Sequence, residues 1–269
     1  MRFVHIDNLA LHYRATGLDQ GKPLIVFVNS LGTDWRIWAE VIDGLKEEFA
    51  ILAYDKRGHG LSDLGPVPYA MADHAADLAG LMDHLGLSGA LVCGVSVGGQ
   101  IAQQLYHDRP DLVAGLVLSN TAAQIGNPEF WAQRIERIRE DGIEAVAEGI
   151  IERWFAPDFR RPDNAAHAGY RNMLIRQPVE GYLATCAAIR DFDRRADAAR
   201  IAVPVACIGG EADGATPPEL VEEFARSIPG AEYVLIRGAG HLPCVERPIR
   251  VVEIIRGLAQ RIWGDKTDA

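Results

Sequence analysis

Ser96 stands in the run Gly94-Val95-Ser96-Val97-Gly98-Gly99, a G-x-S-x-G pattern between an apolar stretch, Ala90–Cys93, and a helical one, Gln100–His107. A serine at a tight strand-to-helix turn needs neighbours without side chains, and the two glycines supply them. Such a turn lifts the hydroxyl clear of a sheet. It also sets it at a helix N-terminus, where unpaired N–H groups and the helix dipole favour negative charge. That is the setting of a nucleophile for acyl transfer. Serine is a weak nucleophile at neutral pH, so the chemistry also needs a base, and an acid to orient that base.

Of the eight histidines, His241 follows a late strand pattern, Glu232–Ile236, on the glycine-rich loop Arg237-Gly-Ala-Gly-His241. Pro248 opens the helix beyond it. His5 and His12 fall in N-terminal strands, and His74, His84, His107 and His167 in helical stretches; His59 precedes the serine. The acid is expected between serine and histidine, at another strand end. Val203–Gly209 is such a strand, and it leads to Glu211 and Asp213. Asp213 is preferred and Glu211 is the alternative. Asp191, Asp193 and Asp197 have no strand to deliver them. Thr216-Pro-Pro-Glu219 reads as a capping box that starts the next helix. The oxyanion of an acyl-transfer intermediate needs backbone donors. The N–H of Val97 is one. The loop Asn29-Ser-Leu31-Gly32-Thr-Asp34 supplies the other through Leu31, with Gly32 keeping the loop close.

The elements that must position these groups follow from periodicity. Strand patterns fall at about 2–7, 9–15, 24–29, 49–54, 90–94, 114–119, 203–209 and 232–236. Helical segments separate them from the fourth onward, which implies crossovers and a mostly parallel eight-stranded sheet flanked by helices, an α/β fold. Asp73–Leu85 reads as an amphipathic helix. Between about 122 and 200 the strand signal vanishes, and Glu129–Glu140, Gly142–Phe155, Ala165–Arg176 and Val179–Ile189 read as helices. Ile143, Val146, Ala147, Ile150, Ile151 and Trp154 share one helical face. The expected division is a core of residues 1–121 and 200–269 and a helical cap, 122–199, inserted between strands 6 and 7. Such a cap would screen the Ser96 edge from water and shape the substrate site.

Bulk properties narrow the function. With 269 residues, 48% apolar and 24% charged, the chain is an ordinary globular one. A net charge of −10 argues against nucleic acid as a partner, and an anionic substrate would need a local cation against that field. No stretch is long and apolar enough to span a membrane. No signal peptide is visible, so a cytoplasmic location with reduced cysteines is expected. Cys93, Cys186, Cys207 and Cys244 form no C-x-x-C pair, and no metal or nucleotide motif occurs. Neither a metal nor a cofactor is expected. Cys244, close to His241 in sequence, has no elbow around it and reads as packing. The oligomeric state is not legible.

The chain as a whole resembles the 3-oxoadipate enol-lactonases (β-ketoadipate enol-lactone hydrolases) of the α/β-hydrolase superfamily. The resemblance rests on Asn29-Ser-Leu-Gly-Thr-Asp34, Tyr54-Asp-Lys-Arg-Gly-His-Gly-Leu-Ser-Asp63, Gly94-Val-Ser-Val-Gly-Gly99, Ala184-Thr-Cys-Ala-Ala-Ile-Arg-Asp191, Asp213-Gly-Ala-Thr-Pro-Pro218 and Gly238-Ala-Gly-His-Leu-Pro243. Many relatives carry His-Gly where this chain has Asn29-Ser30. The resemblance implies an α/β-hydrolase fold and a serine esterase of aromatic catabolism. Its substrate would be a small anionic lactone, opened to 3-oxoadipate through an acyl-enzyme. A substrate carboxylate calls for a cation. Arg190, in a matching segment, is the first choice, ahead of Arg134, Arg137, Arg153, Arg171 and Arg176. Trp131 and Trp154 are candidate pocket walls, while Arg57 and His59 are expected to fix a loop. Three other readings stay open: another carboxylesterase or lactonase, a carbon–carbon bond hydrolase of the same fold, and a hydrolase-fold binding protein with little turnover.

Overall fold

A computed structural model describes residues 2–264. Eight strands form one sheet: β1 (Arg2–Ile6), β2 (Leu9–Thr16), β3 (Leu24–Val28), β4 (Ala50–Tyr54), β5 (Ala90–Val95), β6 (Val113–Ser119), β7 (Val205–Gly210) and β8 (Glu232–Ile236). Their spatial order is β1-β2-β4-β3-β5-β6-β7-β8. β2 runs antiparallel to β1 and β4, and the remaining pairings are parallel. Each strand expected from the sequence is present. β7 starts at Val205 rather than Val203, because Pro204 has no N–H to give the ladder.

The helices of the described residues are α1 (Ala39–Asp43), α2 (Met71–His84), α3 (Val97–Asp108), α4 (Pro128–Asp141), α5 (Glu144–Trp154), α6 (Ala165–Ile175), α7 (Val179–Arg190), α8 (Pro218–Ser227), α9 (Pro243–Glu246) and α10 (Pro248–Trp263). None is long and apolar enough to cross a membrane. β3, β4 and β5 are buried along their whole length, as strands covered on both faces are.

Helices α4 to α7 fill the interval between β6 and β7, where the sequence pattern loses its strands. The side chains of Asn127 and Asn164 cap α4 and α6 by accepting from Phe130 and Ala166 N–H. On α5 and the residue before it, Ile143, Ala147, Ile150, Ile151 and Trp154 are buried, as their shared face predicts; Val146 is half-buried.

The sheet order fixes where a site can form. β4 lies on one side of β3 and β5 on the other, so the winding direction reverses between β3 and β5. At such a reversal the loops leaving the carboxyl ends part and leave a crevice. Val28 at the end of β3 pairs with Gly94 of β5, and Val95 pairs with Ser119 of β6. The loop carrying Leu31 and the turn carrying Ser96 therefore border the same crevice.

Candidate active site

Ser96 joins β5 to α3 with φ 59° and ψ −123°, a backbone region that costs a residue with a side chain energy. Close backbone approach explains the glycines around it. A Cβ on Gly94 would stand 2.2 Å from the Gly98 carbonyl oxygen, and one on Gly98 2.3 Å from that of Val28. The ladder continues into the turn: Ser96 N–H donates to the Ser119 carbonyl at 2.9 Å, and Thr121 Oγ1 donates to the Ser96 carbonyl at 2.7 Å.

Asp213 and His241 leave the ends of β7 and β8, and the structure brings them together. His241 Nδ1 lies 2.9 Å from Asp213 Oδ2, and both side chains are buried. Asp213 Oδ1 accepts from the N–H groups of Ala215 and Thr216 at 2.7 and 3.0 Å. Its Oδ2 accepts from Thr216 Oγ1 at 2.6 Å and Asn120 Nδ2 at 2.7 Å. Burial alone would raise this carboxyl's pKa. The facing His241 and the hydrogen bonds from His241, Thr216 and Asn120 outweigh burial and hold it below the ordinary aspartate value. A carboxylate held this way accepts a hydrogen bond from Nδ1–H, which leaves Nε2 as the basic nitrogen. Glu211, the alternative acid, instead accepts from Gly238 N–H at 2.9 Å and ties the two loops together.

Thr216 corrects one expectation. The helix starts at Pro218 with Pro217 at its cap, and no capping box forms. The Thr216 hydroxyl is spent on Asp213. Two further residues that sequence reasoning passed over also serve this corner. Asn120, at φ 48° just past β6, aims its amide at Asp213. Glu246 accepts from Gly240 N–H at 2.6 Å and Ala156 N–H at 2.9 Å. With His241 N–H on the Trp154 carbonyl at 2.8 Å and Gly214 N–H on that of Arg153 at 3.2 Å, these bonds pin the end of α5 to the Asp213 and His241 loops. Cys244 is buried, and burial pushes its thiol pKa up, away from a reactive thiolate.

The loop after β3 is fixed from several sides. Gly32 adopts φ 72°, and a Cβ there would stand 2.6 Å from Leu174 of α6. Gly32 N–H donates to His59 Nε2 at 3.1 Å. An accepting Nε2 means a neutral ring; burial first, and then the charge of Lys56, pull the His59 pKa well below its ordinary value. His59 thus fixes this loop, and Arg57 pairs with Asp77 at 2.6 Å. Asn29 Nδ2 donates to the Thr33 carbonyl. The Leu31 and Val97 N–H groups have no acceptor among the described residues.

A cavity of about 60 Å³ is lined by Ser30, Leu31, Ser96, Ile125, Gly126, Phe130, Trp131, Arg134, Arg153, Trp154, Ala215, Thr216 and His241. Trp131 and Trp154 line it as expected. Trp131 is held by its Nε1 on the Ile125 carbonyl at 2.7 Å. Arg190 does not line it. It pairs with its neighbour Asp191 at 2.7 Å and faces a separate depression of about 440 Å³ with Arg139 and Glu180. The cations of the Ser96 cavity are Arg134 and Arg153. Arg134 lies between the rings of Trp131 and Tyr182, at 5.3 and 5.7 Å, and donates to the Tyr182 hydroxyl. Among the described residues it meets no carboxylate. Arg153 sits 5.6 Å from the Phe130 ring centre. The signal for Arg134 was its place three residues after Trp131, on the same face of α4. The signal against Arg190 was the aspartate beside it.

The family model for the alpha/beta hydrolase fold matches residues 23–248. The chain is 31% identical to 3-oxoadipate enol-lactonase 2 of Acinetobacter baylyi, over 90% of each chain. The crystal structure of the enol-lactonase from Burkholderia xenovorans LB400 superposes with a TM-score of 0.92 at 35% identity, covering 96% of this chain and 100% of that one. A thermophilic esterase from Thermogutta terrifontis, in a malate-bound structure, superposes with a TM-score of 0.90 at 30% identity, covering 97% and 99%. With its elbow serine at the sheet reversal, the chain belongs to the α/β-hydrolase fold family, is a hydrolase, and has the 3-oxoadipate enol-lactonases among its relatives.

Proposed function

We propose that this hydrolase opens 3-oxoadipate enol-lactone, a lactone bearing a carboxylate, to 3-oxoadipate. The observation that carries the substrate class is Arg134. It is a half-buried arginine whose Nε is buried with no hydrogen-bond partner, it has no carboxylate partner among the described residues, and it lines the cavity that holds Ser96 and His241. A partly buried cation left without an anion is unfavourable, and a ligand carboxylate relieves it.

In this reading His241 Nε2 takes the Ser96 proton as Oγ attacks the lactone carbonyl. The Leu31 and Val97 N–H groups receive the oxyanion, each donor being worth about 3 kcal/mol of barrier. The ring C–O bond breaks, and the leaving oxygen departs as an enolate. The enolate needs less help than an alkoxide would; it takes the proton held on His241, which frees the imidazole, and the resulting enol tautomerises to the ketone. A water deprotonated by His241 then hydrolyses the acyl-enzyme. Asp213 holds the imidazole in place and offsets its charge throughout. No external cofactor enters the balance.

Steady-state rates of the purified protein on the enol-lactone and on p-nitrophenyl acetate test the proposal. The lactone should turn over with much the higher kcat/KM. Faster turnover of the neutral ester would reassign the chain as a carboxylesterase, the reading that the Thermogutta esterase's likeness favours.

A further inference from the structure

Ser30 and Leu31 line the cavity, the N–H of the peptide between them has no acceptor among the described residues, and its carbonyl is held by several donors. Lys56 Nζ donates to the Ser30 oxygen at 2.5 Å and Thr33 Oγ1 at 2.9 Å, with the Thr33 N–H at 3.3 Å. Lys56, two residues past β4, is 0% exposed. Burying a charged amine this completely is expensive, and burial pulls the Lys56 pKa well below its ordinary value, against the charges of Asp55 and Asp34. The nearby carboxylates are occupied elsewhere. Asp55 serves His12 and the N–H groups of Trp35 and Leu61, and Asp34 serves Arg36. The Ser30 carbonyl is the one hydrogen-bond acceptor of Lys56 among the described residues.

An amide is a conjugated unit. A donor on its oxygen draws electron density away from nitrogen and makes the N–H a better donor. We propose that Lys56 is a positioning residue for catalysis: by gripping the Ser30 carbonyl it orients and polarises the Ser30–Leu31 peptide, whose N–H receives the oxyanion. The proposal rests on the acyl-transfer reading of Ser96. Lys56 touches no reacting atom. Its effect belongs to the transition state, where negative charge reaches the Leu31 N–H, and not to ground-state binding.

The test uses the full chain and three variants, Lys56→Met, Lys56→Gln and Thr33→Val. Kinetics on p-nitrophenyl acetate and on the enol-lactone are paired with binding of an aryl boronic acid, which forms a tetrahedral adduct on an active serine. Ser30-Leu31 is the one Ser-Leu step in the sequence. Protein labelled with carbonyl-13C serine and 15N leucine therefore gives a single carbonyl-correlated amide peak, that of Leu31. The expected result for Lys56→Met is a kcat about tenfold lower or worse, with KM within about twofold. Boronate affinity should fall in parallel, and the Leu31 proton and nitrogen resonances should move upfield. Lys56→Gln, which keeps an N–H donor, should recover part of each loss. An unchanged kcat, or an unmoved Leu31 peak, overturns the proposal. If Lys56→Met does not fold, Thr33→Val decides: it should lower kcat about threefold and shift the peak the same way, by less. No change in either readout overturns the inference. Should the native chain hydrolyse neither substrate and bind no boronate, the acyl-transfer reading falls, and the catalytic role of Lys56 with it. A Leu31 shift on substitution would then show only that the peptide is polarised.

Discussion

The Arg134 guanidinium lies between the rings of Trp131 and Tyr182 and donates to the Tyr182 hydroxyl. This arrangement holds a cation in the Ser96 cavity without neutralising it. Replacing Arg134 by Met removes a charged hydrogen-bond donor worth about 2–3 kcal/mol to a bound carboxylate. The KM for the enol-lactone should rise about 30- to 100-fold, and the constants for a neutral acetate ester should change little. The same variant made at Arg190 should leave both substrates unaffected. An equal loss on both substrates in Arg134→Met would remove Arg134 as the carboxylate's partner.

Ser96 pays for its position with backbone strain, at φ 59° and ψ −123°. Glycine relaxes there. Ser96→Gly should abolish turnover and raise stability by about 1 kcal/mol, or a few degrees in Tm. Ser96→Ala should abolish turnover equally and gain no such stability, since alanine keeps the Cβ. Thermal denaturation of the two variants side by side checks this; a Tm for Ser96→Gly no higher than for Ser96→Ala contradicts it.

Asn120 Nδ2 donates to Asp213 Oδ2 at 2.7 Å across 93 residues of sequence. Asp213→Asn should lower kcat by about 10⁴, since it leaves His241 in the wrong tautomer. Asn120→Gly should lower kcat by about tenfold while tolerating the φ of 48° at that position. Asn120→Ala should show the same catalytic loss plus a fall in Tm from the strained backbone. Full activity in Asn120→Gly would mean that Thr216 and the loop N–H groups suffice to hold the carboxylate.

His59 and His74 are buried neutral, with pKa values pulled well below the ordinary histidine value, chiefly by burial. The unfolded chain takes up protons near pH 6.5 that the folded chain refuses. Stability is therefore complete above that pH and falls as pH drops below it, by up to about 1.4 kcal/mol per unit for each group. His59→Gln keeps an acceptor for the Gly32 N–H and cannot titrate. Urea unfolding at pH 7.5 and pH 5 should show a smaller acid loss in this variant than in the native chain. An identical loss would exclude His59 as a source.

Several features were legible from the chain alone because they are local. The glycines at 94 and 98 mark the elbow by their spacing around Ser96, and at Gly94 the backbone of Gly98, four residues on, excludes a Cβ. Strand and helix periods place Ser96, Asp213 and His241 at the ends of β5, β7 and β8. The order of those elements implies a mostly parallel sheet. Tertiary structure decided what depends on contacts between distant segments. It set Arg134 and Arg153, and not Arg190, in the wall of the Ser96 cavity, because helix packing determines which arginine faces the elbow and which stays with a neighbouring aspartate. It turned Thr216 from a helix cap into a ligand of Asp213. It also brought Asn120 to Asp213, Glu246 to Ala156 and Lys56 to the Ser30 carbonyl. No period or motif encodes those pairs, because burying polar groups together is a property of the assembled core and not of any one segment.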